Sequence, residues 1–446
     1  MKRITKELEK EFTKAKQYVY SWLTDGEGDT TYAISDKLSN LNIDYGVNLT
    51  SAAEAGISVP ETPAAVNFVH GNTKNSYAKT IAAGYLQVEK KVAGEQDLDK
   101  EYTFSAPKAL NVIGVDAGNI YGGVVITTNC KCTSINYSSA SRYENVNAIV
   151  AGDRDILIED VKAKAVYGGG AGYGSVLDGN VSISLVGTNN SITNVFGGGQ
   201  KGAVVTGDVS IDVSRRDAKG GKIGTIYGGG EDAIVKGDVT ITIHGTNAVG
   251  IGTVSGSGKG KKSEVMGDRY LVIDGFSGKF TTTIKDFDHI TLTSGTAITL
   301  TQSQQKSIQS ATYEFVIIDR ETLNQPNAML TWNKNIDVGQ FYITVADEFA
   351  SKAHDAFVTT IFSSTYLTQA AFDKAGVKVY DEAGKEITSG YSLEFVADQD
   401  NKGNAKKKGG AIVLSSTART PTSRARTRRT ASSRRPTTTS TSAAST

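Results

Sequence analysis

A pentapeptide made of an aliphatic residue, an aromatic residue and three glycines occurs three times in the chain, at 166–170, 195–199 and 226–230. The second copy begins 29 residues after the first, the third begins 31 residues after the second, and a degraded copy follows at 254–258. A fixed period of about 30 residues is typical of a solenoid, in which each coil buries its apolar face only against neighbouring coils. We therefore expect a stack of short, similar coils with an elongated surface.

Each repeat contains three short apolar runs, separated by glycine-rich corners. In the third repeat these runs are 222–227, 233–235 and 238–243. Val239, Ile241 and Ile243 alternate with polar residues, as in a strand with one buried face. Three strands and three turns in about 30 residues predict one coil of a parallel β-helix. The usual bias of parallel crossovers predicts a right-handed coil, so the expected fold is an all-β, right-handed parallel β-helix of six or seven coils.

Composition and local periodicity predict the rest of the chain. Apolar residues at spacings of three and four indicate an amphipathic helix at the N-terminus, and strand-like runs flank the repeats, with a short helix near Gln369–Ala375. The predicted segments are 1–29, a helix cap; 30–109, an irregular β region; 110–300, the β-helix repeats; 301–414, a β-rich C-terminal module; and 415–446, a disordered Ser/Thr/Arg tail. We interpret the tail as an out-of-frame or truncated gene end. The alternative is a functional tail, either a glycosylated stalk or a binder of anionic polymers.

Charge and composition exclude several classes of function. Residues 415–446 hold seven Arg and no acidic residue, which leaves 41 basic and 47 acidic residues in the rest of the chain. This mildly acidic body lacks the basic surface of a nucleic-acid-binding protein. No apolar run approaches the ~18 residues of a membrane span, and the N-terminus lacks the apolar core of a secretory signal peptide.

Sequence motifs for catalysis, cofactors and metals are not found. The glycine-rich segments fit neither a P-loop nor a dinucleotide-binding fingerprint, and Gly174 stands where a calcium-binding nonapeptide needs Asp. Cys130 and Cys132 lack the further Cys or His of a zinc site, so we expect them to pack inside a coil. The four His share no spacing with a candidate nucleophile. We therefore expect a non-enzymatic protein without cofactor or metal.

The repeats place equivalent residues above one another in series. We expect the aromatic residues of the pentapeptides to stack as an internal ladder; the alternative is a sugar-stacking platform. The Asn/Asp residue of a second marker, Gly-(Asn/Asp)-(Val/Arg), is expected to cap backbone N–H groups at a turn; the alternative is a cation or sugar-hydroxyl site. The glycines after the aromatic residues serve corners that demand positive φ or close backbone approach. These repeat residues are Tyr167, Phe196, Tyr227, Gly168, Gly197, Gly228, Asn180, Asp208, Asp238 and Asp268.

The third repeat carries a resemblance to a known class of protein. Its sequence, IYGGG at 226–230 followed by KGDVTITI at 236–243, resembles the repeats of large bacterial surface proteins, the adhesin-like or autotransporter-passenger-like β-helices. Segments 280–288 and 328–332 are similar to regions downstream of such arrays. The resemblance implies a secreted protein displayed at the cell envelope, with the array acting as a stalk or a binding surface. The chain departs from the class in having no recognisable outer-membrane barrel or anchor.

We therefore expect a secreted or cell-surface repeat protein, either an adhesin or a structural stalk. Its partners would be glycans of a host or of the environment, or other surface proteins, bound through many weak contacts along one rigid face. The hydroxyl groups expected on that face belong to Ser182, Ser184, Ser210, Thr240 and Thr242. Two alternatives stay open on the same scaffold: a phage tail-spike or fibre protein, and a polysaccharide lyase or hydrolase.

Overall fold

The protein is described here by a computed structural model in which most of the regular structure is β-strand. The described residues are 2–4, 31–59, 61–71, 76–88, 100–128, 146–214, 221–245, 250–278, 281–317, 327–332, 338–346, 356–387 and 389–417. The helices among them are α1 (Leu49–Glu54), α2 (Gln302–Ile308), α3 (Gln369–Ala375) and a 3-10 turn at Val338–Gln340.

The strands among the described residues belong to four sheets. Sheet A has thirteen strands: β1 (Lys2–Ile4), β2 (Thr31–Ile34), β5 (Ala65–His70), β8 (Ala109–Ile113), β11 (Arg154–Glu159), β14 (Val181–Val186), β17 (Val209–Ser214), β20 (Val239–His244), β23 (Arg269–Asp274), β26 (His289–Thr293), β28 (Thr312–Ile317), β30 (Phe341–Val345) and β32 (Val379–Asp381). Sheet B has eight: β3 (Lys37–Asp44), β6 (Tyr77–Val88), β9 (Asp116–Thr128), β12 (Lys162–Tyr167), β15 (Ser191–Phe196), β18 (Lys222–Tyr227), β21 (Ile251–Ser255) and β25 (Thr283–Lys285). Sheet C has seven: β4 (Val47–Asn48), β7 (Lys100–Ser105), β10 (Val146–Ala151), β13 (Ser175–Asp178), β16 (Val204–Val205), β19 (Ile234–Val235) and β22 (Glu264–Val265). Sheet D has six: β24 (Ser277–Gly278), β27 (Ala297–Leu300), β29 (Leu330–Trp332), β31 (Phe357–Ser364), β33 (Tyr391–Gln399) and β34 (Ala405–Ser416).

Successive coils stack in parallel, which confirms the predicted all-β, parallel β-helix. The third repeat passes through sheets B, C and A as β18, β19 and β20, within a residue or two of the three predicted runs. Each of these strands pairs in parallel with the equivalent strand of the coil before it. The handedness of the coil stays a prediction.

The core is built from aliphatic side chains that lie directly above one another. Val181, Val209 and Val239 are register partners in sheet A, and all three are buried. The residues between the core positions of β20 are only half-buried, as the predicted alternation requires. Burial of one such aliphatic side chain contributes about 1.5–3 kcal/mol, so each coil is stabilised mainly by its two neighbours.

Sheet A continues through both limits of the predicted repeat segment, 110 and 300, and contains more coils than the six or seven predicted. Register partners Asn67, Asn111 and Leu157 are 44 and 46 residues apart, whereas Val272, Thr291 and Glu314 are 19 and 23 apart. Because the loops between strands differ in length there, the period disappears from the sequence although the strands still pair. Residues 31–109 and 301–381 therefore include further coils of the same stack.

The two ends of the chain differ from their predictions where they are described. The predicted N-terminal helix is wrong at Lys2–Ile4, which forms β1 and pairs in parallel with β2. The edge of the first sheet A strand offers unpaired N–H and C=O groups, and β1 satisfies them. The remainder of the predicted helix, 5–29, lies outside the described residues. Ser415 and Ser416, predicted in the disordered tail, end β34 because they pair with β31 and β33; 418–446 lie outside the described residues, as do Cys130 and Cys132.

The last coils contain the predicted short helix and a hairpin. Helix α3 spans Gln369–Ala375 as predicted, and it is capped at its N-terminus by Thr368, whose side chain accepts a hydrogen bond from the Ala371 N–H. After β32 the chain reverses through a turn closed by the Gly384 N–H, which donates to the Asp381 carbonyl, and Tyr380 pairs with Glu386 in an antiparallel bridge. Helix α3 packs against the 3-10 turn at Val338–Gln340, which precedes β30.

Candidate ligand-binding face

The aromatic residues of the pentapeptides form a buried ladder on sheet B. The rings of Tyr121, Tyr167, Phe196 and Tyr227 stack in sequence, with centroids 4.8–4.9 Å apart and planes within 6° of parallel. Phe196 is fully buried, and the cluster is separate from the main core, which holds the preceding residue, Val195. The prediction of an internal ladder is confirmed. Since both faces of Tyr167 and Phe196 are covered by other rings, neither inner ring offers a sugar-stacking platform.

A column of polar residues covers the hydroxyl edge of the ladder. Gln200, Glu231 and Lys259 follow the apolar Ala171 in a series of parallel bridges from coil to coil. The Tyr167 hydroxyl donates to Glu231 (2.7 Å), and Gln200 and Lys259 also donate to the Glu231 carboxylate (2.8 and 2.7 Å). Partial burial raises the pKa of Glu231, but these three hydrogen bonds outweigh it and leave the pKa below its usual value. The network is a structural cover, because its polar atoms satisfy one another.

The predicted glycine corners are positions of close backbone approach. A Cβ atom on Gly197 would lie 2.2 Å from a methyl group of Val209 and 2.3 Å from the carbonyl oxygen of Gly228. Gly168 and Gly228 would clash in the same way, at 2.1 Å from their nearest atoms. The corner therefore excludes any larger residue because adjacent coils touch there.

The Asn/Asp series forms a ladder of side-chain caps across the N-terminal ends of the sheet A strands. The Oδ1 atom of each residue accepts a hydrogen bond from the backbone N–H of its equivalent in the next coil. These bonds join Asp153 to Asn180 (2.9 Å), Asn180 to Asp208 (2.8 Å), Asp208 to Asp238 (2.9 Å) and Asp238 to Asp268 (2.8 Å). The predicted capping role is confirmed. All five residues are exposed, so their side chains also line the outer surface.

The same coils present a second polar column beside this ladder, two residues further along each strand. Its members are register partners in sheet A, namely Asp155, Ser182, Ser210, Thr240 and Tyr270. Between the two columns runs a shallow groove of about 440 Å³. We call it the acidic groove; its lining includes Asp153, Asp155, Asn180, Ser182, Asp208, Ser210, Asp238, Thr240 and Tyr270. Ser184 and Thr242 lie on the same outward face, in the neighbouring column rather than in the groove.

The two ends of the acidic groove carry paired groups. At one end the Lys108 ammonium lies 3.4 Å from the carboxylate of Asp155. At the other, the Tyr270 ring stacks on His289, with centroids 4.7 Å apart. Beside that stack, Arg269 donates two side-chain hydrogen bonds to Asp288, of 2.7 and 2.8 Å. These bonds lower the pKa of Asp288, so both groups stay charged and the arginine is already neutralised.

A charged network that the sequence did not reveal joins the column of Ser184 and Thr242 to the next outward column. The two ring nitrogens of His244 lie 2.7 Å from carboxylate oxygens of Asp212 and Asp274, in the coils before and after it. Partial burial lowers the pKa of His244, but the hydrogen bonds and negative charges of the two aspartates outweigh it and raise the pKa above its usual value. The imidazolium therefore links three coils on the open face.

Sequence reasoning missed Asp155 and Tyr270, which stand at the two ends of the second polar column. Asp153-Arg154-Asp155 and Asp268-Arg269-Tyr270 follow the same pattern as Asp208-Val209-Ser210, with a polar residue on each side of a central one. Arginine replaces valine at the central position, which obscures the alternation. The signal that could have found them is the (Asn/Asp)-x-(polar) spacing at each sheet A strand.

Neither a group of metal-binding side chains in the described residues nor a similar known protein identifies the functional site. Within the described part of the chain, no group of three or more His, Cys, Asp or Glu is placed to hold a metal ion. In that same part, none of the helices combines the length and hydrophobicity that crossing a bilayer requires. No family model, curated protein or solved structure matches the chain. The acidic groove is thus the candidate site on geometric grounds.

Proposed function

We propose that the protein is a non-enzymatic binding protein, adhesin-like, which is secreted or displayed on a bacterial surface and binds glycans along the acidic groove. The observation that carries the proposal is the pair of polar columns repeated over five coils, from Asp153 to Tyr270. Carboxylates and hydroxyls are the groups that hydrogen-bond sugar hydroxyls, and here the first column immediately precedes the strands of sheet A and the second lies within them.

The spacing of the columns suits a repetitive ligand. Neighbouring strands lie about 4.8 Å apart, so five coils present equivalent groups over about 19 Å. Each contact is weak because the groove is shallow, but several contacts made together, or several copies of the protein, raise the avidity by about 10²–10⁴. The groove lining contains Asp153, Asp155, Asp208 and Asp238 and no basic residue. Its ligand would therefore be neutral or cationic rather than acidic.

A glycan array tests this proposal with the protein displayed as a multimer. We expect signals on neutral or amino-sugar glycans and none on uronate-rich or sialylated ones. Ser210→Trp should fill the groove and reduce the signal at least tenfold. The matched control is Ser191→Trp, because Ser191 is an equally exposed strand residue on sheet B; it should bind as the wild type does.

Two outcomes would overturn the proposal. One is a wild-type multimer that gives no array signal, and the other is an equal loss of signal in both tryptophan variants. Release of new reducing ends from a bound polysaccharide would instead favour the lyase or hydrolase alternative.

A further inference from the structure

A larger cavity lies at the C-terminal end of the same outward face. Its volume is about 640 Å³, and it is lined by strands β28 and β30, the end of α3 and the hairpin after β32. We call it the terminal pocket. Its chemistry is carried by Glu314, Gln340, Tyr342, Lys378, Tyr380 and Glu382.

The floor of the terminal pocket is a carboxylate held in one orientation. Glu314 accepts hydrogen bonds from the hydroxyls of Thr291 (3.2 Å) and Thr344 (2.6 Å), one on each carboxylate oxygen. Tyr342 is the register partner of Glu314 in the next strand, and burial, and then the charge of this carboxylate, raise the pKa of Tyr342 to about 12. A fixed carboxylate of this kind is preorganised to accept hydrogen bonds from a ligand, which reduces the entropy lost on binding.

Two tyrosines form a corner above this floor. The rings of Tyr342 and Tyr380 are 6.4 Å apart between centroids and meet at 79°. Both side chains are only half-buried, so each can offer part of its ring to a ligand. A pyranose ring fits such a corner, because its C–H groups can pack on one aromatic face while its hydroxyls reach the carboxylate.

The charge of the pocket restricts the class of sugar. Glu314, Asp381 and Glu382 are acidic lining residues, whereas Lys378 is the one basic lining residue. The Lys378 ammonium lies 2.7 Å from Glu386, which already balances its charge. An acidic sugar would be repelled, and a neutral or protonated amino sugar would be accepted.

The terminal pocket lies in line with the acidic groove, along the extension of the second polar column. Tyr270, which lines the groove, pairs in register with His289, and His289 with Thr312, which lines the pocket. These are two strand steps, or about 10 Å. One extended ligand can therefore occupy both sites.

From this geometry we infer that the terminal pocket binds the end residue of the glycan chain, a neutral or amino-bearing pyranose. The inference rests on the proposed function, since the glycan chain would lie in the acidic groove. It also implies that the glycan chain binds in one orientation, because a pocket at one end of the groove recognises the terminus of the chain rather than an internal residue.

Monosaccharide binding to the single, unmultimerised protein tests the inference. Saturation-transfer NMR would use galactose, glucosamine and glucuronic acid as probes. We expect binding of the first two and none of glucuronic acid. Tyr380→Ala should weaken binding at least tenfold, whereas Tyr366→Ala, at an exposed tyrosine outside the pocket, should leave it unchanged.

A charge reversal keeps the test decisive if Tyr380→Ala fails to fold. Glu382→Lys changes an exposed turn residue, and it should weaken glucosamine binding, leave galactose binding intact and admit glucuronic acid. Wild-type protein that binds none of the three sugars, or binding that neither variant changes, would overturn the inference. The groove proposal is judged separately by Ser210→Trp on the array. Array binding without monosaccharide binding defeats only the terminal pocket, and monosaccharide binding without a Ser210→Trp effect defeats only the groove.

Discussion

Removal of one ring from the aromatic ladder should destabilise the coils locally and strongly. Phe196 is fully buried, and it stacks on Tyr167 and Tyr227 with both centroid distances at 4.9 Å. Truncation of a buried Phe to Ala costs about 3–5 kcal/mol. Two ring contacts are lost, each worth about 0.5–1.5 kcal/mol beyond its buried area, so we expect Phe196→Ala to fall in the upper half of that range.

Hydrogen exchange of the native protein, followed by mass spectrometry, resolves this loss coil by coil. A cost of about 3–5 kcal/mol corresponds to exchange that is roughly 150- to 5,000-fold faster in segments that open with the ladder. These segments are β12, β15 and β18. Because coils contact only their neighbours, peptides from β28 and β30 should keep their wild-type exchange rates.

The matched control is Phe196→Tyr. The hydroxyls of Tyr121 and Tyr167 reach the polar column two coils ahead, at Gln200 and Glu231. By the same offset, the added hydroxyl would lie beside Lys259, so exchange should stay near the wild-type rate. Unchanged exchange in Phe196→Ala, or acceleration spread evenly over the whole chain, would refute the reasoning.

Two further predictions concern the outward face. The pKa of His244 is raised above 6.5 in the folded protein by Asp212 and Asp274, so its stabilisation is present below pH 6.5 and is lost as the pH rises through the folded pKa. Urea midpoints should therefore fall over that interval in the wild type and not in His244→Gln; equal pH profiles would contradict the assignment. Asp208→Ala removes the acceptor of the Asp238 N–H and should cost about 1 kcal/mol in urea unfolding, whereas Asp208→Asn keeps an acceptor and should be nearly neutral. A loss of stability in Asp208→Asn greater than that in Asp208→Ala would show that the charge of Asp208, rather than its hydrogen bond to the Asp238 N–H, stabilises the fold.

The sequence predicts those parts of the fold in which equal coils follow one another. Val239, Ile241 and Ile243 alternate with polar residues, and this local pattern alone assigns their faces. It does not predict the coils before 110 and after 300, where partners such as Asn67 and Asn111 are 44 residues apart. Their loops vary in length, and strand pairing does not depend on loop length.

The candidate site likewise has a part that the sequence determines and a part that only the tertiary structure shows. The repeat period by itself determined that Asn180, Asp208 and Asp238 recur at one place in each coil, because one residue type at a constant spacing must form a column in any stack. Only the tertiary structure decided that this column lies beside Ser210 and Thr240 across a groove, that His244 meets Asp212 and Asp274, and that Tyr342 and Tyr380 form a corner. Those contacts join side chains from different coils. They depend on the register between strands and on the path of the loops, which no short segment of sequence encodes.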